Sequence, residues 1–504
     1  MLHPKHDRPV PSKRVTAVAT VFMRSARPSF VALSLSFAAC TGSQLGSESG
    51  GRGCNAGGAN DQVKAPGNAP GGVDLAYGDI AVSPDGSYVV YDHAATLAVA
   101  WTKTSLVEAL PLEEPSRLGF AKDRHVVYVS STKDGAVHAI DVDSATQLWS
   151  SPLGEYADGF LAVAESDTRL VFAASKRLWV LDAKDGHVLH DLALSSPPVD
   201  LKILPDDERV LVVEQHTWPP AVVPGSDAPT ANTIVHVLDM ATGQDRVISV
   251  PNCSDDIVVT GDGKMAFLAP TSCSKDPISV IDLVPGKEAF RKNLPGFGPV
   301  VLAPDGVTAV GFLDRAQADA SLFDDPKLLP AKGAYHLMVI DTPTLQYAFY
   351  EYGDIRPRYA LSPNGKALLV DESNGLSGIS RARLFDMEMR AFETIEGPAI
   401  QFEQVALSSD SVHAYVLSNA QLTSRTRGRG RRGAANGTDY GLYDLELDAA
   451  KVAEVPLDFR PVNVNIAPDD GSLFLRRNPR EICLFSLTSK SCERELKLDV
   501  TAVN

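Results

Sequence analysis

The stretch AVSPDGSYVVYD, residues 81–92, places a Ser-Pro-Asp-Gly turn between two short runs of apolar residues. Proline presets the backbone of a turn, aspartate bonds to its own backbone two residues on, and glycine adopts positive φ without strain. Apolar runs on both sides of such a turn predict a β-hairpin. Close relatives of this stretch recur along the chain: VLAPDGVTAVGF at 301–312, ALSPNGKALLVD at 360–371 and NIAPDDGSLFLR at 465–476.

Two turn signals alternate from residue 73 onward. Turns of the first kind begin near residues 83, 121, 165, 204, 260, 303, 362, 408 and 467. In the second, an apolar residue precedes an aspartate and a turn, at Asp141, Asp182, Asp239, Asp282, Asp341, Asp386 and Asp444; WTKTS at 101 and FSLTSK at 485 fill the same slot without the aspartate. Each unit holds four strand-like runs and recurs about every 48 residues, which is typical of a β-propeller. The sequence thus predicts an all-β fold, a single β-propeller of four-stranded blades, with nine units counted and seven to nine blades allowed.

Two of the units carry a family resemblance. VHAIDVDSATQLWSSPL (137–153) and LWVLDAKDGHVLHDLAL (178–194) resemble quinoprotein-like propeller repeats, in which an apolar-Asp turn precedes a tryptophan. The SPDG units resemble YVTN-type and WD-type (WD40-like) repeats. The resemblance covers roughly residues 75–500 and implies the propeller fold, whereas its function stays open because such repeats serve many functions.

The N-terminal residues predict export. Arg24 and Arg27 precede ten mostly apolar residues, 30–39, a run too short to span a membrane and typical of a signal peptide. FAAC, ending at Cys40, resembles a bacterial lipobox, in which the cysteine is lipidated, although Phe37 replaces the usual aliphatic residue; the alternative is ordinary cleavage near Ala39. Residues 1–39 are therefore assigned to a signal-peptide region, with Met23 as an alternative start.

Residues 40–72 are rich in Gly, Ser, Asn and Pro and predict a flexible tether between the lipidated Cys40 and a propeller over 73–504. The expected location is a bacterial envelope membrane. The outer membrane is favoured, because Thr41 is not the aspartate that retains enterobacterial lipoproteins in the inner membrane; the periplasmic and surface sides both stay open.

The cysteines fit an oxidising compartment. Cys483 and Cys492 lie on facing arms of the last hairpin, and Cys253 and Cys273 flank another, so local disulfides are expected for both pairs. Four cysteines allow three pairings, and four free thiols are the alternative. Cys54 is left over in the tether.

Long connections predict the binding face. Residues 216–233, 314–333, 371–380 and 419–439 all join the second strand of a unit to the third, so we expect them to crowd one face around the channel as a partner surface. Candidate contacts are Trp218, an aromatic in a stiff loop, and an arginine cluster that suits acidic groups: Arg425, Arg427, Arg429, Arg431 and Arg432. The alternatives are that Trp218 only holds its own loop and that the arginines are solvated.

The motif search yields no catalytic residue. HExxH, CxxC, EF-hand, GxSxG and Walker patterns are all absent from the sequence, and the repeated turn aspartates should not converge. No metal or cofactor is expected, and a net charge of −16 argues against nucleic acid. The first hypothesis is a monomeric, non-enzymatic binding or scaffolding module whose partner is an envelope protein or a surface glycan. The second is a hydrolase, lactonase or lyase at the channel mouth, and the third is a quinone-cofactor dehydrogenase.

Overall fold

A computed structural model describes residues 73–74, 80–93, 96–154, 159–215, 232–270, 277–287, 289–316, 318–330, 335–353, 358–371, 382–396, 404–418, 441–478 and 481–497. In this part of the chain nine antiparallel sheets form a ring, eight of four strands and one with a short fifth strand, which makes the fold a nine-bladed β-propeller and settles the blade number at nine. The four strands of each blade follow one another in sequence. We call them A to D, from the channel outward.

The strands are listed blade by blade in chain order, after the short strand β1 (Val73–Asp74). Blades 1 to 3 consist of β2 (Ile80–Val82), β3 (Tyr88–His93), β4 (Thr96–Trp101), β5 (Val107–Glu113); β6 (Pro115–Phe120), β7 (Val126–Ser131), β8 (Ala136–Asp141), β9 (Thr146–Pro152); and β10 (Gly159–Val163), β11 (Arg169–Ala174), β12 (Arg177–Asp182), β13 (Val188–Ala193). Blades 4 to 6 consist of β14 (Pro198–Ile203), β15 (Arg209–Glu214), β16 (Thr233–Asp239), β17 (Asp245–Val250); β18 (Asp256–Val259), β19 (Met265–Ala269), β20 (Ile278–Asp282), β21 (Phe290–Leu294); and β22 (Phe297–Leu302), β23 (Thr308–Asp314), β24 (Tyr335–Asp341), β25 (Tyr347–Gly353). Blades 7 to 9 consist of β26 (Arg358–Leu361), β27 (Ala367–Asp371), β28 (Ala382–Asp386), β29 (Ala391–Thr394); β30 (Gln404–Leu407), β31 (His413–Ser418), β32 (Gly441–Glu446), β33 (Lys451–Val455); and β34 (Asn463–Ile466), β35 (Ser472–Asn478), β36 (Glu481–Ser486), β37 (Ser491–Lys497).

The two faces of the ring differ in their connections. The A–B and C–D turns, which carry the two repeated signals, lie on what we call the turn face. The B–C and D–A connections lie on the opposite loop face. Two 3-10 turns, Ala320–Leu322 and Pro326–Leu328, occur in the B–C connection of blade 6.

The core lies between the blades. Strand β7, in the middle of blade 2, is buried at every residue, whereas the outer strand β13 of blade 3 alternates between partly buried and exposed residues. Buried side chains of adjacent blades interdigitate, as Tyr128 of blade 2 does with Phe172 of blade 3. The same packing joins the chain ends, since Tyr91 of blade 1 and Phe474 of blade 9 belong to one cluster. The ring is therefore closed by burial of apolar surface.

An inner set of contacts links the A–B turns around the turn face. The fourth residue of a turn lies against the second or third residue of the preceding blade's turn. It has positive φ in eight of the nine turns: Gly86, Asp167, Asp207, Gly263, Gly306, Gly365, Ser411 and Asp470. Where the fourth residue is aspartate, the contact is a hydrogen bond: the Asp167 carboxylate accepts from Lys122 N (2.8 and 2.7 Å) and the Asp470 carboxylate from Ser409 N (2.9 Å).

In three blades the fourth residue is glycine and the preceding turn has proline at its second position: Gly86 with Pro468, Gly263 with Pro205, and Gly365 with Pro304. A Cβ atom on Gly86 would lie 2.9 Å from Pro468 Cδ, and one on Gly365 would lie 2.8 Å from Pro304 Cδ. Real Cβ atoms do not approach a neighbour so closely, and proline has no N–H to donate. Glycine is therefore required by both space and φ at these two positions.

An outer set of contacts links the D strands of blades 2, 3, 4 and 9 to the next blade's C–D turn. Trp149 Nε1 donates to Ala183 O (3.3 Å), and Arg246 Nη1 donates to Val284 O (3.2 Å). His190 Nε2 lies 3.3 Å from Ala241 O in the same way. The tryptophan slot of the quinoprotein-like repeat is thus filled by histidine in blade 3 and by arginine in blade 4.

The seam between blades 9 and 1 uses the same two kinds of contact. Gly86 packs on Pro468 in the inner set. In the outer set, Arg494 of β37 donates from Nη1 to Thr102 O (2.5 Å). Arg476 Nη2 adds a bond to Asp92 O (2.9 Å). The described residues therefore close the ring with the contacts that join its other blades, and blade 9 is built from four consecutive C-terminal strands.

Candidate partner-binding face

The described strands place all four long connections on the loop face. Residues 215–232, 315–334, 372–381 and 419–440 join strands B and C in blades 4, 6, 7 and 8. The shared rim that the sequence predicts is thus present. Trp218 and the arginine cluster (Arg425, Arg427, Arg429, Arg431 and Arg432) lie outside the described residues, as does Cys40, so their roles stay predictions.

The connection of blade 6 corrects one expectation. Its segment 318–330 does not gather around the channel, because it folds over the outer edge of the ring. Phe323 is buried, with its ring 5.8 Å from the ring of Phe349 on the outermost strand β25. Asp324 accepts a hydrogen bond from Lys292 Nζ of blade 5 (2.7 Å), and its N–H donates to Tyr347 OH (3.4 Å).

We call this segment the clasp. It links the outer strands of blades 5 and 6, because Phe323 packs on Phe349 of blade 6 and Asp324 bonds to Lys292 of blade 5. Burial of Phe323 against Phe349 favours this path, because it removes apolar surface from water. The predicted surface around the channel is therefore reduced to the connections of blades 4, 7 and 8.

A buried ionic network lies at the base of the 215–232 connection. Glu214, the last residue of β15, is 1% exposed, and its Oε1 lies 2.9 Å from His236 Nε2. His236 Nδ1 lies 2.8 Å from Asp245 Oδ2 on the neighbouring D strand. Glu214 also accepts the backbone N–H of Ser195 (2.7 Å) and of Ser196 (3.2 Å), in the segment joining blades 3 and 4.

The electrostatics of this network favour a charged imidazole. Burial by itself lowers the pKa of His236, but hydrogen bonds and charge from Asp245 and Glu214 outweigh burial and raise the pKa above its usual value. A protonated imidazole has two N–H donors and no lone pair. With each nitrogen facing a carboxylate, His236 has no nitrogen left to bind a substrate or a metal. The network instead ties blade 4 to the segment that joins it to blade 3.

The same position of strand C carries a histidine in blade 2. His138 Nδ1 lies 3.0 Å from Gln147 Oε1, and its Nε2 lies 3.2 Å from Asp134 Oδ1. Both His138 and His236 precede the turn aspartate by three residues. Sequence analysis missed both histidines, although this shared spacing was a signal that could have found them.

The repeated turn aspartates do not converge, as the sequence predicts. Asp239 accepts Thr242 N (2.8 Å), and Asp341 accepts Thr344 N (2.9 Å), each within its own turn. These backbone and side-chain bonds hold the pKa of both carboxyl groups below the usual value. Asp444 differs from them, because its carboxylate lies 2.8 Å from His413 Nδ1. The aspartates therefore fix turns.

The disulfide of the last hairpin is present. Cys483 and Cys492 are bonded across β36 and β37, with a Cα–Cα distance of 5.7 Å. The disulfide thus ties down the strand that carries Arg494 of the seam. Cys253 is also disulfide-bonded and fully buried, whereas its predicted partner Cys273 lies outside the described residues.

The described residues offer neither a metal site nor a membrane-spanning helix. No three His, Cys, Asp or Glu side chains in this part of the chain are placed to hold a metal ion together. No helix in this part is long and apolar enough to cross a membrane.

Ring, blade order and turn chemistry define a nine-bladed β-propeller. A family model described as "Outer membrane protein assembly factor BamB" matches residues 85–248, which run from the first turn of blade 1 to the D strand of blade 4. This match supports the quinoprotein-like assignment for the first four blades. Among curated proteins, none matches the chain in sequence.

Three solved structures are similar over most of the chain. Hydrazine synthase of Kuenenia stuttgartiensis is 16% identical, with a TM-score of 0.36, over 87% of this chain and 98% of its own. A eukaryotic initiation factor is 12% identical, with a TM-score of 0.48, over 76% and 88%. Dihydro-heme d1 dehydrogenase NirN, in complex with DHE, is 14% identical, with a TM-score of 0.45, over 74% and 73%. At these values no function carries over to this chain.

Proposed function

We propose that this protein is an exported, lipid-anchored propeller that acts as a non-enzymatic binding or scaffolding module in a bacterial cell envelope, with the outer membrane favoured. The observation that carries the proposal is the asymmetry of the two faces. The turn face is occupied by bonds between neighbouring blades, whereas the long connections of blades 4, 7 and 8 all leave from the loop face. Extended connections on one face of a rigid repeat scaffold are the usual location of binding surfaces.

The chemistry of the expected partner follows from the side chains of these connections. The aromatic ring of Trp218 suits an apolar pocket on a protein, and the five arginines of 425–432 suit carboxylate or phosphate groups. An acidic envelope protein could contact both Trp218 and the arginines, whereas an acidic surface glycan could contact only the arginines. The match of blades 1–4 to the assembly-factor model favours the protein.

The proposal is tested by affinity capture from an envelope extract. We expect wild-type protein to retain a partner that Trp218→Ala retains at least tenfold less, since loss of an aromatic anchor costs about 2 kcal/mol or more. A variant with 419–439 replaced by a short Gly-Ser link should lose the salt-sensitive part of binding. Glu165→Ala, an exposed turn-face change, serves as the matched control. Capture at the wild-type level by Trp218→Ala and by the shortened variant, with loss only in Glu165→Ala, would place the binding surface on the turn face.

Anchoring has its own test. Metabolic labelling with a palmitate analogue should mark the wild-type chain and leave Cys40→Ala unmarked. Cys54→Ala, a change at the other tether cysteine, should be marked like wild type. Equal marking of wild type and Cys40→Ala would remove the anchor from the proposal and leave the binding face untouched.

A further inference from the structure

The inner edge of blade 2 carries a fifth strand. β1 (Val73–Asp74) pairs with β6, whose other edge is paired with β7. β6 is an A strand, and the A strands of neighbouring blades contact one another around the channel, as β6 and β10 do. The free edge that β1 occupies is therefore the edge that faces the channel. No repeat signal predicts this strand, because two residues carry no periodicity.

The pairing fixes the direction of β1. Val73 lies opposite Leu118 and Asp74 opposite Arg117, so the two strands are antiparallel. β6 starts at Pro115 on the loop face and ends at Phe120 before a turn of the turn face. β1 must therefore run from the turn face towards the loop face. Ile80, where blade 1 begins, is again at the loop-face end of its A strand, as this direction requires.

We propose that the chain enters the propeller at the turn-face mouth of the channel, where β1 begins. The turn face is then directed towards whatever surface holds the N-terminus, and the loop face is directed away from it. A partner of the loop-face connections consequently approaches from the side opposite the anchor. This last step rests on the proposed function, whereas the path of the chain rests on β1 alone.

Charge on the turn face decides how closely it can approach a membrane. The fourth residues Asp167, Asp207 and Asp470 and the third residues Asp85 and Asp305 all lie on this face. Anionic headgroups would repel such a surface. The flexible tether that the sequence predicts over 40–72 has an expected root-mean-square reach of about 30 Å, enough to hold the propeller clear of the headgroups.

The path of the chain is tested with paired spin labels in full-length protein carrying Cys40→Ser and Cys54→Ser. One label sits at Ala69→Cys. The other sits on blade 3, at Glu165→Cys on the turn face or at Lys176→Cys on the loop face, both of which are exposed. The six residues of β11 separate these two positions, so the faces lie about 20 Å apart at roughly 3.3 Å per residue.

We expect the 69–165 distance to be shorter than the 69–176 distance by about 10 Å or more. The 165–176 pair, measured in the same protein, gives the span of the blade and verifies that the labels leave it folded. A shorter 69–176 distance, or equal broad distributions for both pairs, overturns the proposal. The labelled protein lacks Cys40, so the outcome does not depend on lipidation. It is measured on the protein alone, so it does not depend on partner capture either. The anchoring test or the capture test can therefore fail while this result stands.

Discussion

Asp207 accepts a hydrogen bond from the backbone N–H of Glu165 at 2.7 Å, although the two residues belong to neighbouring blades and lie 42 positions apart in sequence. Asp207 has positive φ (60°) and is the fourth residue of its turn, and Glu165 is the second residue of the preceding turn. In three blades the fourth residue is an aspartate that accepts a backbone N–H of the preceding turn, and in three others it is a glycine that follows a proline in the preceding turn. Gly306, which lies against Gly261, and Arg124, which follows the turn of Pro84, depart from this pairing. The turn residues therefore determine a contact with the neighbouring blade as well as the geometry of their own hairpin.

This matching predicts the effect of single changes. Asp207→Gly keeps the positive φ and removes the acceptor, so we expect the free energy of unfolding to fall by about 1–2 kcal/mol. Asp207→Ala should cost more, because alanine is strained at positive φ. Urea unfolding measures both variants.

A double substitution tests the pairing itself. Glu165→Pro alone leaves the Asp207 carboxylate without its strongest donor and should destabilise the protein. Adding Asp207→Gly reproduces the Pro468–Gly86 arrangement of the seam, so the double variant should be more stable than the sum of the single changes predicts, by at least about 0.5 kcal/mol. Strict additivity would show that the two positions are matched by chance.

The seam depends on β37. Cys492→Ser removes a disulfide that closes a loop with a sequence separation of 9, a loss of about 2–3 kcal/mol in the chain-entropy model. Arg494→Ala removes the bond to Thr102 O. We expect both variants to melt earlier than wild type and to lose blade 9 first in limited proteolysis. Lys497→Ala, which alters surface contacts with Glu481 and Glu495 in the same blade, is the control and should melt near wild type; proteolysis that starts in another blade would contradict this role for the seam.

The His236 network predicts a pH dependence. The pKa of His236 is raised above 6.5, so the folded state holds the proton more tightly than the unfolded state. The stabilisation is complete below about pH 6.5 and is lost as pH rises through the folded-state pKa. His236→Gln should remove this loss of stability with rising pH, measured as unfolding free energy over a pH series.

His125 contributes to the pH dependence of stability in the same direction as His236, so its part is measured with a separate variant. A hydrogen bond to Asp143 and the nearby Asp85 raise the pKa of His125 on the turn face. His125→Gln should therefore remove a separate part of the pH dependence, and Glu214→Gln should move the His236 part to lower pH. A pH profile unchanged by His236→Gln would show that the imidazole is neutral in the fold.

The clasp predicts local protection without much contribution to global stability. Phe323→Ala removes its buried side chain, so trypsin should cut after Lys327 faster than in wild type. The melting temperature should change little, because the segment lies outside the nine sheets. Leu328→Ala, at a side chain that is 45% exposed in the same segment, is the matched control and should be cut at the wild-type rate. Equal rates for both variants and wild type would mean that Phe323 does not hold the clasp.

Prediction from sequence succeeded where the interactions are local. The hairpin of 81–92, its relatives and the turn aspartates such as Asp239 and Asp341 all act within a few residues of themselves. The same holds for Cys483 and Cys492, which are neighbours on one hairpin. Prediction from sequence was incomplete for the loop-face connections. The order of strands shows that these connections share one rim. The path of the clasp, however, depends on Phe349 and Lys292, which belong to strands elsewhere in the chain.

The sequence by itself determined the blade, the succession of four strands, and the face to which each connection belongs, because turn residues and alternating strands act over short stretches of backbone. Only the tertiary structure decided that nine blades close, that Arg494 meets Thr102 across 392 positions, that Glu214 and Asp245 enclose His236, and that β1 lies along β6. These contacts depend on where one blade stands relative to the next. That position is set by the packing of buried side chains between blades, which no single repeat contains.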